Sequence, residues 1–470
     1  MRARRLSELV ELMQPAAVEV VGDDTVIGPD VVLDNREATP GSLFVAIPGS
    51  RVDGHSFAPQ AVAAGAAAVL GSFVTEAEVP HILVEDTVQG LSWLARGLVR
   101  EERARGMVSF GVTGSSGKTS TKDLLAQVLE ARGTTVAPVG SQNNEIGVPL
   151  TACRIDGSTQ FLVSEMGSRG AGHIEWLTSL VGLDVGMVLN VGRAHVGEFG
   201  GIERTARAKS EIITGLEPGG WAVLNADDPA CRAMRDATVA RVAWFGEGDL
   251  PEGDLKVAAR DVVCDESAKA AFTLAVTRES ETVSAPVSLR VIGRHQVSNA
   301  LAAAAAGLAV GMTVVEVAGA LSVAESRSDW RMELVHCSRD RIVLNDAYNA
   351  NPDSMAAALR TAANLIAGQR RRHPGARAVA VLGDMLELGP ESGGLHAELG
   401  IDEVIAVGEH AGIMAEAARE RGIEARAATR AEASQVDLAP GDLLLVKGSR
   451  SVGLELVADA VAKRIGGVPK

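Results

Sequence analysis

The chain has 470 residues, which at roughly 150 per domain points to about three domains. It is 46% hydrophobic and 22% charged, a globular balance that excludes a disordered or collagen-like chain. Its 60 acidic against 45 basic residues leave a net charge of −15, which argues against holding nucleic acid by phosphate neutralisation but not against a small anion held by a few local donors.

The four cysteines, Cys153, Cys231, Cys264 and Cys337, form no C-x-x-C pair and read as four buried, reduced thiols. At the start, Arg2, Arg4 and Arg5 precede Glu8 and Glu11, which interrupt the apolar core that a signal peptide needs. The uncharged stretches from Phe57 to Thr75 and from Gln296 to Val315 are Ala- and Gly-rich and too weakly apolar for membrane spans, so a cytoplasmic protein is expected.

Taken in order, short β-branched runs alternate with Ala/Leu-rich stretches, the pattern of an α/β protein with parallel sheets. Residues 1–105 carry a strand over Leu43–Ile47 and a helix around Pro59–Gly65, and end in an Arg/Glu-rich helix near Gly106. Residues 106–325 open with a strand over Met107–Val112 and change character after Gly246. There Gly246–Asp254 reads as a surface loop, and Phe272–Val276 and Val287–Val291 as antiparallel strands. Residues 326–470 carry strands at Ile342–Leu344, Ala378–Leu382, Val404–Val407 and Leu443–Val446.

The strongest chemical signal is Phe110-Gly-Val-Thr-Gly-Ser-Ser-Gly-Lys-Thr119, between an apolar strand and a helical stretch. Glycines let the backbone curl so that successive N–H groups face phosphate oxygens. The helix adds its positive end, Lys118 reaches the terminal phosphates, and the Thr119 hydroxyl suits Mg²⁺. Val112 occupies the first glycine position of the strict motif, but Gly114, Ser115, Ser116, Gly117, Lys118 and Thr119 remain as a nucleoside-triphosphate loop. Glu165, at the end of the apolar run Phe161–Glu165, is a hard oxygen donor suited to the same cation. His195 follows a second such run, Val185–Val191.

In residues 201–216, Ile202, Ala206, Ile213 and Leu216 space as one helical stripe whose missing member is Lys209. An ammonium on a buried face is desolvated and its amine becomes reactive, whereas a lysine whose stem lies along the surface and whose head reaches water gives the same spacing.

Together these segments resemble the Mur ligase superfamily, cytoplasmic enzymes that add amino acids to the peptidoglycan precursor. The resemblance runs through Thr113–Thr119, Glu165-Met-Gly167, Asn190–His195, Glu203 with Ala208–Ile212, Gly293-Arg-His295 with Asn299, and Arg331. Three more segments, Asn345–Met355, Val381–Gly389 and Val446–Arg450, resemble the branch that joins D-alanyl-D-alanine to UDP-N-acetylmuramoyl-tripeptide. The first of them contains Tyr348, the single tyrosine of the chain.

The resemblance implies a central P-loop ATPase domain between an N-terminal uridine-nucleotide domain and a C-terminal Rossmann-like domain that closes on ATP and takes the amine. It implies an ADP-forming carbon–nitrogen ligase of cell-wall biogenesis, acting as a monomer with ATP and two Mg²⁺. Lys118, His195, a carbamylated Lys209 and Arg331 would be catalytic, and Thr119, Glu165, His195 and Lys209 would serve the metals. Asn299, Arg331, Asp346, Tyr348 and Asn349 would surround ATP. Asn35, Arg36, Asp53, His55, Asn143 and Asn144 would meet the UDP-substrate, and Asn351, Lys447, Ser449 and Arg450 the amine. Three residues depart from the family pattern: Asn35 where serine or threonine is usual, Ala347 where serine is usual, and His173 where an acidic residue is usual. Another Mur-type or folylpolyglutamate-type ligase, a P-loop kinase or ATPase, and a non-catalytic nucleotide-binding scaffold are the competing readings. Tyr348-Asn-Ala-Asn-Pro352 stands against the first.

Overall fold

The computed structural model describes residues 1–14, 18–192, 201–385 and 400–468. Three α/β domains follow one another, each around its own sheet. In the first, strands run in the order Glu19–Val21, His81–Leu83, Ala68–Gly71, Leu43–Val45, Val31–Val32, parallel except for the antiparallel first pair.

The central sheet has nine strands. Val108–Thr113 lies between Phe161–Glu165 and Val185–Val188, and beyond the latter come Trp221–Asn225, Arg241–Gly246 and Leu255–Cys264, all parallel. Lys269–Arg278 and Glu281–Ile292 complete that side as antiparallel strands, and residues 247–254 form the expected connection before Leu255. From Val108–Thr113 the chain goes first to one side of the sheet and then to the other. The crevice at the carboxyl end of this strand is therefore the switch point where open α/β sheets hold ligands.

Parallel strands covered on both faces must be apolar on both, and neighbouring residues divide between two cores. Leu162, Val188 and Leu224 face one core, and Val163, Met187 and Val223 the other. Helix Gln296–Ala309 lies in the second. Its run of alanines is almost wholly buried, so its lack of charge reflects burial against helix Lys118–Glu130 and the sheet. No helix among the described residues is long and apolar enough to cross a membrane. Of the four thiols, three are buried as expected, but Cys264 is half-buried because it ends a strand at the sheet's outer hairpin. Burial pushes Cys153 up to about 12.

The third sheet runs Glu333–His336, Ile342–Asn345, Leu443–Lys447, Ala378–Gly383, Glu403–Val407, Glu424–Ala427, antiparallel only at its first pair.

Helix Thr87–Ala104 joins the first two domains, since its apolar face shares one core with helix Leu6–Leu12 and with Val148, Ile174 and Val188 of the central domain. The approach is closest at Gly97, where an added Cβ would strike the Leu12 carbonyl and Cβ. Gly→Ala inside a helix is ordinarily favourable by about 1 kcal/mol. Here Gly97→Ala is expected to lower stability by about 1–3 kcal/mol through overpacking, read as a fall in the urea midpoint.

Candidate functional site

Strand Val108–Thr113 continues through Val112, which is fully buried, so the first motif glycine is not needed and the turn begins at Gly114. Gly117 caps helix Lys118–Glu130 in a left-handed conformation, φ 82°, and a Cβ there would lie 2.5 Å from Asn299 Oδ1. Both facts demand glycine. Asn299 thus supports the loop from beneath: Oδ1 accepts from Thr121 Oγ1 at 3.2 Å and Nδ2 donates to Gln296 Oε1 at 2.8 Å. From the side, the Asn190 carbonyl accepts from Ser115 N–H at 3.2 Å, and Asn190 Oδ1 from Ser116 N–H at 3.0 Å. Lys118 Nζ donates to the Gly114 carbonyl at 2.7 Å.

The loop opens into a cavity of about 310 Å³ between the central and third domains. Ser115 to Thr119, Asn143, Asn144, Glu165, Lys209, Arg331, Tyr348, Asn349 and Asn351 all line it, so most of the expected ATP and metal residues converge on one space. Glu165 is fully buried; its Oε1 accepts from Ser141 Oγ and Asn143 Nδ2, both at 2.8 Å. Its Oε2 is buried without a hydrogen-bond donor among the described residues. A buried carboxylate oxygen left over in the same cavity as the Thr119 hydroxyl fits a hard divalent cation such as Mg²⁺. Asn143, expected to meet the UDP-substrate, also lines the cavity, and its Nδ2 orients Glu165 and donates to Ser141 Oγ at 2.9 Å. Only its place in a Ser-x-Asn turn hinted at that role.

Lys209 is 4% exposed, which removes the surface-lysine alternative. The stripe that pointed to it needs correcting. The buried face of helix Ile202–Thr214 is Thr205, Ala208, Lys209, Ile212 and Ile213, and Ile202 is exposed. Ile202 is the first residue of the helix, where the core no longer reaches it. His195 lies outside the described residues, as does the end of the segment Val381–Gly389.

Arg331 comes from the third domain. Its Nη2 donates to Thr119 Oγ1 at 3.2 Å, and its guanidinium stacks 4.0 Å over the Tyr348 ring. Asn351 caps helix Pro352–Arg372 through Ser354 N–H at 2.9 Å, and its Nδ2 reaches the Ser115 carbonyl at 3.4 Å. A second cavity, of about 360 Å³, shares Arg331 and is lined also by Gln296, Ser328, Asp329 and Met332.

Other expected residues stand apart. Asp346 accepts from Met332 N–H at 3.1 Å and from Lys447 Nζ at 2.6 Å, and Lys447 also reaches the Asn349 carbonyl at 2.9 Å. Burial lowers the Lys447 ammonium's pKa while Asp346 opposes the shift, so this lysine buttresses Tyr348–Asn349 from inside the domain. Arg450 stacks 4.3 Å over Trp330 and pairs with Glu455 at 2.8 Å, while Ser449 N–H donates to the Asp384 carbonyl at 3.0 Å.

In the first domain, Asn35 begins a short 3₁₀ turn on which Arg36, largely exposed, pairs with Asp34. His55 Nδ1 lies 2.6 Å from Asp53 Oδ1, its Nε2 accepts from Ser72 N–H at 2.9 Å, and its ring stacks on Phe73 at 4.2 Å. His55 is therefore occupied in closing its own turn.

Comparisons with known proteins identify the family. The family model for the Mur ligase family, catalytic domain matches residues 31–98, that for the Mur ligase middle domain 112–307, and that for the Mur ligase, glutamate ligase domain 330–450. The UDP-N-acetylmuramoyl-tripeptide–D-alanyl-D-alanine ligase of Mycobacterium leprae is 38% identical, over 96% of this chain and 98% of that one. The enzyme of the same name from Escherichia coli is 34% identical over 97% and 98%. A crystal structure of MurF from Acinetobacter baumannii superposes with a TM-score of 0.82 at 29% identity, covering 98% of this chain and 99% of that one. MurF ligase from Thermotoga maritima in complex with ADP gives 0.71 at 27% identity, over 93% and 97%. The chain belongs to the Mur ligase family.

Proposed function

We propose that the chain joins the terminal carboxylate of UDP-N-acetylmuramoyl-tripeptide to the amine of D-alanyl-D-alanine at the expense of ATP, in peptidoglycan precursor synthesis. The carrying observation is the single cavity where Lys118, Thr119, Glu165, Lys209 and Arg331 meet. Relatives of this name align along nearly the whole chain.

The peptide carboxylate attacks the γ-phosphorus, ADP leaves, and an acyl phosphate forms. The dipeptide amine then attacks the acyl carbon, loses a proton, and inorganic phosphate leaves with the amide made. The first step brings two anions together, so the protein's task is charge neutralisation and positioning. The loop amides and Lys118 receive the phosphates, and Arg331, held flat by Tyr348, faces them from the third domain. Mg²⁺, when bound, neutralises charge between the phosphates and the incoming carboxylate. Thr119 and Glu165 would hold it; His195 would join a second ion on the strength of the family resemblance.

A buried lysine beside a metal-suited carboxylate supports carbamylation of Lys209. The neutral amine adds to carbon dioxide, a proton is released, and the cation becomes an anionic oxygen ligand. We assign residues 1–105 to the uridine nucleotide, with Arg36 an exposed cation there, 106–325 to ATP, and 326–470 to closure and the amine. We take a monomer as the working unit.

Phosphate release from ATP should require UDP-tripeptide and D-alanyl-D-alanine together, and Lys118→Ala should lower kcat by about 10²–10³-fold. Phosphate release with a single acceptor and no amide would overturn the ligase reading. Lys209→Ala should be inactive and partly restored by formate but not by chloride, followed in the same assay.

A further inference from the structure

Arg331 sits in an unusual stretch of backbone. Trp330 and Met332, on either side, both adopt left-handed conformations, φ 56° and φ 50°. Bulky side chains rarely do so, and such a segment persists only where its surroundings hold it. Downstream, Asp346 Oδ1 accepts from Met332 N–H at 3.1 Å, and Tyr348 N–H donates to the Trp330 carbonyl at 3.3 Å.

Upstream, the hold comes from one face of helix Lys118–Glu130. Thr119, Asp123, Gln127 and Glu130 follow at steps of four, four and three, so they share a side. The interdomain linker runs along that side in the opposite direction. Arg331 meets Thr119; Asp123 Oδ2 accepts from the N–H groups of Arg327 at 3.3 Å and Ser328 at 3.0 Å. Gln127 grips Glu325 twice, Nε2 donating to its carbonyl at 2.8 Å and Oε1 accepting from its N–H at 3.0 Å. Arg327 makes two bonds to the Glu130 carboxylate, at 2.6 and 2.5 Å. Buried Lys122 pairs with Asp123 and donates to the Pro138 carbonyl at 3.0 Å and Ser328 Oγ at 3.4 Å.

We propose that Asp123 and Gln127 are positioning residues for the ligation, acting through Arg331. The inference rests on the function proposed above. The helix is continuous with the phosphate loop, and positions 119 and 127 are about 12 Å apart along its axis. By gripping linker backbone at 325, 327 and 328, the helix fixes where the guanidinium of a different domain arrives relative to that loop. Loss of the grip lets Arg331 move with the linker. The cost falls on the charged transition state, which needs the guanidinium in place, and hardly on nucleotide held by the loop amides.

The test uses the full chain. Wild-type phosphate release must first depend on both acceptors; its failure there overturns the proposed function itself. Gln127→Ala should then lower kcat about tenfold and leave the ADP dissociation constant within about twofold. Hydrogen exchange in residues 325–332 should quicken. In an Arg331→Ala background the same substitution should lower kcat no further. Asp123→Asn, which keeps one acceptor oxygen, should shift kcat the same way, and Gln127→Ala carries the test alone if that variant does not fold. An unchanged kcat in Gln127→Ala, or an equal fall in both backgrounds, overturns the proposal while leaving the ligase reading intact.

Discussion

The phosphate loop is held from three directions, and the rest of the site takes its position from it. Asn299 presses against Gly117 from below, Asn190 ties the amides of Ser115 and Ser116 from just beyond the end of the neighbouring strand, and Arg331 and Asn351 reach Thr119 and Ser115 from another domain. None of these contacts is strong alone, since a net hydrogen bond contributes about 1 kcal/mol. Together they fix a short glycine-containing turn. The sheet's switch point explains why the loop lies where it does, and the surrounding side chains explain why it keeps one shape.

Charge is organised locally against the overall balance. A molecule of net charge −15 must bring a triphosphate and a carboxylate into contact. Lys118, Lys209, Arg169 and Arg331 all border the same cavity, and among the described residues Glu165 is the acidic member of its lining. In a space partly shielded from water such cations act more strongly than the same charges on the surface. The acidic exterior therefore does not oppose the chemistry inside.

Much of this was legible in the sequence because the responsible signals are local. The loop, its flanking strand and helix, and Glu165 at a strand end depend on spacing along a few residues, and they stand together in the structure. The reading of helix Ile202–Thr214 reached Lys209 by a stripe that includes an exposed Ile202, because periodicity cannot tell where the core stops covering a helix end. Contacts between distant segments were invisible. Nothing near Asp346 signals that Lys447 neutralises it, and nothing near Asp123 or Gln127 signals a linker two hundred residues away. His55 shows the opposite limit. A histidine beside an aspartate in the first domain invites a ligand role, yet Ser72 and Phe73, which contact it, come from a later strand end.

The grip of helix Lys118–Glu130 on the linker is exerted largely through main-chain atoms of Glu325, Arg327 and Ser328. Backbone atoms are common to nearly every amino acid, so this part of the grip does not depend on which side chains stand along 325–328, although Arg327 and Ser328 add side-chain bonds to Glu130 and Lys122. Two chains could share this joint with little resemblance in the joint itself, and the mark of its presence would lie two hundred residues earlier, on the helix.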